Sequence, residues 1–215
     1  MQIKLDMKIL VFVLIFYMTH QIKIYILLMI FACLHELSHI LVGLVLRIKP
    51  TIIEIKPVGF SVVLKNAIED YNKKFYKANV LELKKIFVYS AGPIFNIILA
   101  LIFYFLNIDV VMKQELIYIN LIIAFVNFLP IYPLDGGRIL KCIISIVFGL
   151  RKSYEIVEKI SLYVSALVLA IGSIVVLVVQ NYGLLIMLLY LLYINFVENK
   201  KIQKKIELYK LIDKQ

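Results

Sequence analysis

His35 and His39 stand four residues apart, with Glu36 directly after the first, in the run His35-Glu36-Leu37-Ser38-His39. Positions i and i+4 share one face of a helix. The two imidazoles can therefore bind a single metal ion, with Glu36 beside it as a general base for an attacking water. The run sits inside apolar sequence, Ile24 to Leu34 before it and Ile40 to Leu46 after it, and neither flank carries a charge. The whole stretch is long enough to cross a bilayer, for which about 20 apolar residues suffice. Ionisable side chains at that depth cost roughly 2.5–3.5 kcal/mol each, so their presence points to a function.

Two histidines do not complete a catalytic zinc site, which usually has three protein ligands and a water. A second unusual run supplies a candidate: Asn127-Phe-Leu-Pro130-Ile-Tyr-Pro133-Leu-Asp135-Gly136-Gly137-Arg138. Its prolines and glycine pair break an apolar span, which is tolerated where protein or a cavity satisfies the freed backbone groups. Asp135 reads either as a third metal ligand or as a helix cap or ion-pair partner of Arg138. A third interruption, Ser90-Ala91-Gly92-Pro93-Ile94-Phe95-Asn96, reads as helix packing, since small residues let helices approach and Asn can bond across an interface. His20 falls in a loop. Cys33 and Cys142 are too few for a disulfide framework or a cysteine zinc site and read as small buried hydrophobes.

The elements that must position these residues are membrane helices. The chain has 215 residues, 63% hydrophobic and 18% charged, with mean hydropathy +0.95, which excludes an ordinary soluble domain. Apolar runs place spans near 9–19, 24–46, 86–107, 116–134, 160–180 and 183–197. With both termini cytoplasmic, all of the 24 Lys and Arg residues except Lys23 and Lys113 fall on the inner side, as the positive-inside rule requires. The net charge of +10 therefore reports topology and attraction to lipid headgroups, not nucleic-acid binding. No small-x-small cleavage site follows the first apolar run before His20, so that helix is expected to stay. The second and fourth spans run the same way, which lets His35, His39 and Asp135 meet at one depth, nearer the cytoplasm. Residues 51–64, β-branched around Pro57-Val58-Gly59, predict a short β-hairpin. Residues 66–85 read as an interfacial segment or a linker. The expected fold is an all-α polytopic membrane protein of about six transmembrane helices with that hairpin between the second and third. A single intramembrane domain over 1–198 is followed by a short basic tail, 199–215.

Taken together, the three polar runs resemble the site-2 protease family of intramembrane zinc metalloproteases. His35 to His39 is similar to its HExxH helix, Asn127 to Gly137 to its N-x-x-P-x-x-P-x-D-G-G element, and Ser90 to Asn96 to its small-Gly-Pro-x-x-Asn element, in the family's order. The resemblance implies one zinc ion per chain, held by His35, His39 and Asp135, with Glu36 as catalytic acid and base. It also implies that Asn127, Pro130 and Pro133 shape a groove for the substrate chain. Residues 47–85 are too few to hold the PDZ domain that some branches insert there. The compact form is similar to the sporulation branch, which removes the pro-sequence of sporulation sigma factor K, although members of that branch often carry a C-terminal CBS domain. The implied partners are the bilayer, a membrane-associated protein substrate such as pro-sigma-K, and inhibitory membrane proteins. The implied location is a bacterial cell membrane, in a sporulating cell the one around the forespore. Two rival readings remain open: a family member acting on an anti-sigma factor or a signal-peptide remnant, and a metal-ion transporter using the same cluster as a cation site.

Overall fold

A computed structural model describes the backbone of residues 2–5, 7–48, 50–56, 59–64, 75–107, 109–179 and 182–212. Side chains are described at 7, 9–48, 79–107, 109–178, 183, 185, 186, 188–204, 206 and 207. The element order is β1 (Gln2–Leu5), α1 (Lys8–Met18), α2 (Ile22–Val45), β2 (Pro50–Lys56), β3 (Gly59–Leu64), α3 (Phe75–Phe105), α4 (Val110–Phe128), α5 (Asp135–Phe148), α6 (Leu150–Val179) and α7 (Tyr182–Ile212).

Four helices are long and apolar enough to cross a membrane among the described residues: α2, α3 from Asn79, α4 and α6. Between 11% and 28% of their apolar windows is buried inside the protein. Most of that surface therefore faces outward, and only lipid makes such an arrangement stable. The chain is an integral membrane protein with four helices of spanning length among the described residues, which do not support the other two of the six expected crossings. The first expected span is α1, with 11 residues; at 1.5 Å per residue it reaches about 16 Å, half of the hydrocarbon core. The last expected span falls in the first half of α7, where the side chains at 184 and 187 lie outside the described residues.

The expected hairpin region holds β2 and β3, paired antiparallel with Ile53 opposite Val62 and Glu54 opposite Ser61; residues 57 and 58 of its turn lie outside the described residues. A strand not expected from the sequence, β1, adds to β2 in parallel, with Ile3 opposite Ile53. The sheet order is β1-β2-β3. Of the expected interfacial segment, 66–74 lie outside the described residues, and 75 onward begins α3.

The chain divides into two compact units. In the first, residues 1–78 and 87–127, α1 stops where Thr19 Oγ1 donates to the Ile15 and Phe16 carbonyls. The chain then turns through His20 at φ 56°, and Phe16 stacks on Tyr25 of α2 at 4.8 Å. α2 ends at a left-handed Arg47, with the Ile48 amide donating to Gly43 O. Lys23 near the start of α2 pairs with Glu115 near the start of α4 at 2.7 Å, so those two helices run in the same direction. α3 runs against them: Val88 meets His39, while Leu99 and Phe103, further along, pack on Phe31.

The second unit holds residues 79–86 and 128–215. α5 is a helix the apolar-run reading does not contain, because Arg138 and Lys141 interrupt the pattern. It turns into α6 at Gly149, φ 84°. The stretch from 199, expected as a tail, continues α7, and Ile202 and Ile206 are buried against Tyr154. Beside them Lys141 donates to the Tyr154 hydroxyl at 2.9 Å and lies over its ring, and Lys85 pairs with Glu82 at 2.7 Å. Burial, reinforced by Glu82, pushes the Cys142 thiol well above its ordinary range. The thiolate is the reactive form, so in detergent at pH 8 an alkylating reagent leaves Cys142 unmodified until the protein is denatured. Peptide mass spectrometry checks this, and labelling of Cys142 at the rate of a free thiol contradicts the packing of α5.

Candidate metal centre

His35 and His39 lie on one face of α2, 3% and 4% exposed, with ring centroids 4.8 Å apart and planes at 87°. Nδ1 of His39 sits 2.6 Å from the carbonyl oxygen of Val88 on α3. A carbonyl only accepts, so Nδ1 carries the proton and Nε2 keeps its lone pair for a metal. Ser38 Oγ turns back to donate to the His35 carbonyl at 2.6 Å, satisfying its own hydroxyl inside the helix.

What faces the two Nε2 atoms is a glycine. A Cβ at Gly92 would stand 2.5 Å from Nε2 of His35 and 2.5 Å from Nε2 of His39. The missing side chain lets α3 pass directly against the two rings, and two nitrogens that one Cβ would touch together lie close to each other. Zinc–imidazole bonds are about 2.0–2.1 Å long, so two ring nitrogens this close can share one first-row metal ion. The structure thus gives Gly92 a different partner from the one helix packing predicts: ring nitrogens rather than a neighbouring backbone. A small residue in a polar break of the next span is the sequence signal for it, but spacing alone does not reveal what it faces.

In the second unit Asp135 is the first residue of α5 and is 5% exposed. The capping position belongs to Leu134, which has an extended backbone, so Asp135 is not the cap. Its carboxylate gains from the positive end of the helix dipole. Arg138 Nη1 lies 4.0 Å from Oδ1, the outer limit of an ion pair. The two glycines after Asp135 have a steric reason. A Cβ at Gly136 would collide with the carbonyls of Phe128 and Leu129, and one at Gly137 would come 2.5 Å from the Ile131 carbonyl carbon and the Tyr132 nitrogen. With neither present, α5 starts directly against the 128–132 loop. That loop is held by the Ile131 amide on Leu129 O at 2.7 Å and by the Tyr132 amide on Ser161 Oγ at 2.8 Å. Pro130 and Pro133 are half-buried in it, and the Tyr132–Pro133 peptide is cis. Asn127, at the end of α4 in the first unit, donates from Nδ2 to its own helix at Ile123 O, 3.0 Å away.

His35 and His39 in the first unit and Asp135 in the second are all buried, and each offers a ligand atom of a kind that can hold a metal ion. Two imidazoles and a carboxylate form a donor set of the catalytic zinc type. Glu36, next to His35 in sequence, is half-buried.

Residues 110–172 match the profile of peptidase family M50. A zinc metalloprotease of Methanocaldococcus jannaschii is 29% identical over 156 residues, which cover 69% of this chain and 42% of that protein. The chain thus aligns with less than half the length of this curated relative. The solved site-2 protease from the same organism superposes with a TM-score of 0.67 at 23% identity, covering 92% of this chain and 90% of that one. The fold is shared.

Two substitutions test the geometry. Gly92→Ala places a methyl group against both Nε2 atoms, and zinc content measured by atomic absorption is expected to fall from one per chain to near zero without loss of the folded state. Gly136→Ala forces α5 off the 128–132 loop and is expected to cost about 1–3 kcal/mol of stability, the usual range for overpacking, read as a lowered Tm. Full zinc content in the first variant, or an unchanged Tm in the second, contradicts these assignments.

Proposed function

We propose that this protein is an intramembrane zinc metalloprotease of the site-2 protease type. The observation that carries the reading is the closeness of the buried His35 and His39 Nε2 atoms, which a single Cβ at Gly92 would touch together. His35, His39 and Asp135 would hold the ion. When bound, zinc supplies a Lewis acid and lowers the pKa of coordinated water towards neutrality. The rest is done by the chain. Glu36 takes a proton from the attacking water and returns it to the amine that leaves as the peptide bond breaks. The Val88 carbonyl keeps His39 in the tautomer whose Nε2 carries the lone pair. Asn127, Pro130 and Pro133 line the approach of the substrate chain. A helical substrate hides its carbonyls in its own hydrogen bonds, so the cleaved segment must be extended, and the β2–β3 sheet offers strand edges to hold it.

The substrate we propose is a membrane-associated protein cut near the cytoplasmic face, specifically the pro-sequence of sporulation sigma factor K. Both termini would then be cytoplasmic, and the membrane would be the one around the forespore. What supports this finer reading is the order of the three motifs and the short connection between α2 and α3. The positive-inside distribution of Lys and Arg supports the orientation. Inhibitory membrane proteins would act at the same face.

Co-expression with a tagged pro-sigma factor K tests both levels. Wild type is expected to shorten the tagged protein. Glu36→Gln is expected to lower the cleavage rate by about 10²–10⁴, the range for loss of a general acid–base group, while retaining zinc. Undiminished cleavage by Glu36→Gln sinks the mechanism. Failure of the wild type to shorten this substrate, with zinc bound, removes sigma factor K and leaves the other family substrates.

A further inference from the structure

Asn96 is fully buried, at 0% exposure, and neither its Nδ2 nor its Oδ1 has a hydrogen-bond partner among the described residues. An unpaired buried polar group costs about 1–3 kcal/mol. For packing alone, a leucine of similar size would serve better. A residue that costs stability where it stands invites a functional explanation.

Its place on α3 supplies one. Asn96 follows Gly92 by four residues, so it lies on the same helix face about 6 Å further along. That face meets α2 in antiparallel order. Val88 takes His39, Gly92 faces both imidazoles, and Leu99 and Phe103 reach Phe31. His35 lies between His39 and Phe31 on α2, just as Asn96 lies between Gly92 and Leu99 on α3. Because it is wholly buried, Asn96 is placed to act on a protein group and not on the substrate chain.

We propose that Asn96 is a positioning residue of the metal centre, its carboxamide oxygen accepting the ring N–H of His35 when an ion is held. It would do for His35 what the Val88 carbonyl does for His39: fix the tautomer and the ring plane. Such outer partners of metal-bound imidazoles typically contribute 10–100-fold to metal affinity. This inference rests on the metal-centre reading above.

The test is zinc affinity by chelator competition, together with the Tm of zinc-free protein, for wild type, Asn96→Leu and Asn96→Asp in detergent. Asn96→Leu is expected to bind zinc 10–100-fold more weakly, while its zinc-free form melts no lower than wild type because the orphaned amide is gone. Asn96→Asp keeps an acceptor oxygen at the same reach and is expected to stay within a few-fold of wild type in zinc affinity. A purely structural asparagine gives the opposite pattern, a lowered Tm with unchanged zinc affinity. Equal affinity in Asn96→Leu, or equal losses in both variants, overturns the assignment. If the wild type itself holds no zinc, the metal-centre reading falls as well, so the two failures are distinguishable.

Discussion

Placing an imidazole or a carboxylate out of water is unfavourable unless hydrogen bonds or a metal compensate, and His35, His39 and Asp135 are each at most 5% exposed. The surrounding helices turn most of their apolar side chains outward. Each buried group has instead been given a local device. The Val88 carbonyl accepts a hydrogen bond from Nδ1 of His39. The start of α5 supplies its dipole to Asp135. Space beside the two Nε2 atoms is kept by the absence of a side chain at Gly92. These devices fix where ions and water can go, and the remaining architecture follows from supporting them.

Glycine has this role in both units, through close approach rather than unusual dihedral angles. Gly92 clears the imidazoles within the first unit; Gly136 and Gly137 let α5 begin against the 128–132 loop in the second. In each case a single methyl group would enter space already claimed by a nitrogen or a carbonyl. Packing of this kind has little slack, since cores respond to volume changes of one methylene. The prolines act differently. Pro93 sits inside α3 without ending it, whereas Pro130 and Pro133 belong to a loop that has left the helix.

The candidate ligands stood out because metal chemistry restricts residue type and helical spacing places His35 and His39 on one face, while Asp135 is an acid beside two prolines and a glycine pair in an apolar span. The four long apolar helices follow equally from composition. What sequence does not show is what depends on partners far along the chain. β1 is four residues long and gains its identity from pairing with β2 residues fifty positions later. α5 carries Arg138 and Lys141 through a helix whose buried side is Gly136, Gly137, Cys142 and Ile144, so a search for apolar runs passes over it. α1 is apolar enough to resemble a span but stops after 11 residues, where Thr19 bonds back to the helix carbonyls. Gly92 belongs to a motif that reads as packing, and its closeness to the imidazoles appears once α3 is laid against α2.

The most direct measurement of the central claim is zinc K-edge X-ray absorption on the purified protein. The account predicts a low-coordinate zinc with two imidazole nitrogens at about 2.0–2.1 Å, the remaining scatterers being oxygen at about 2.0–2.2 Å. A sulfur shell near 2.3 Å, or zinc in octahedral all-oxygen coordination, would show that the ion does not sit on His35, His39 and Asp135 and would contradict it.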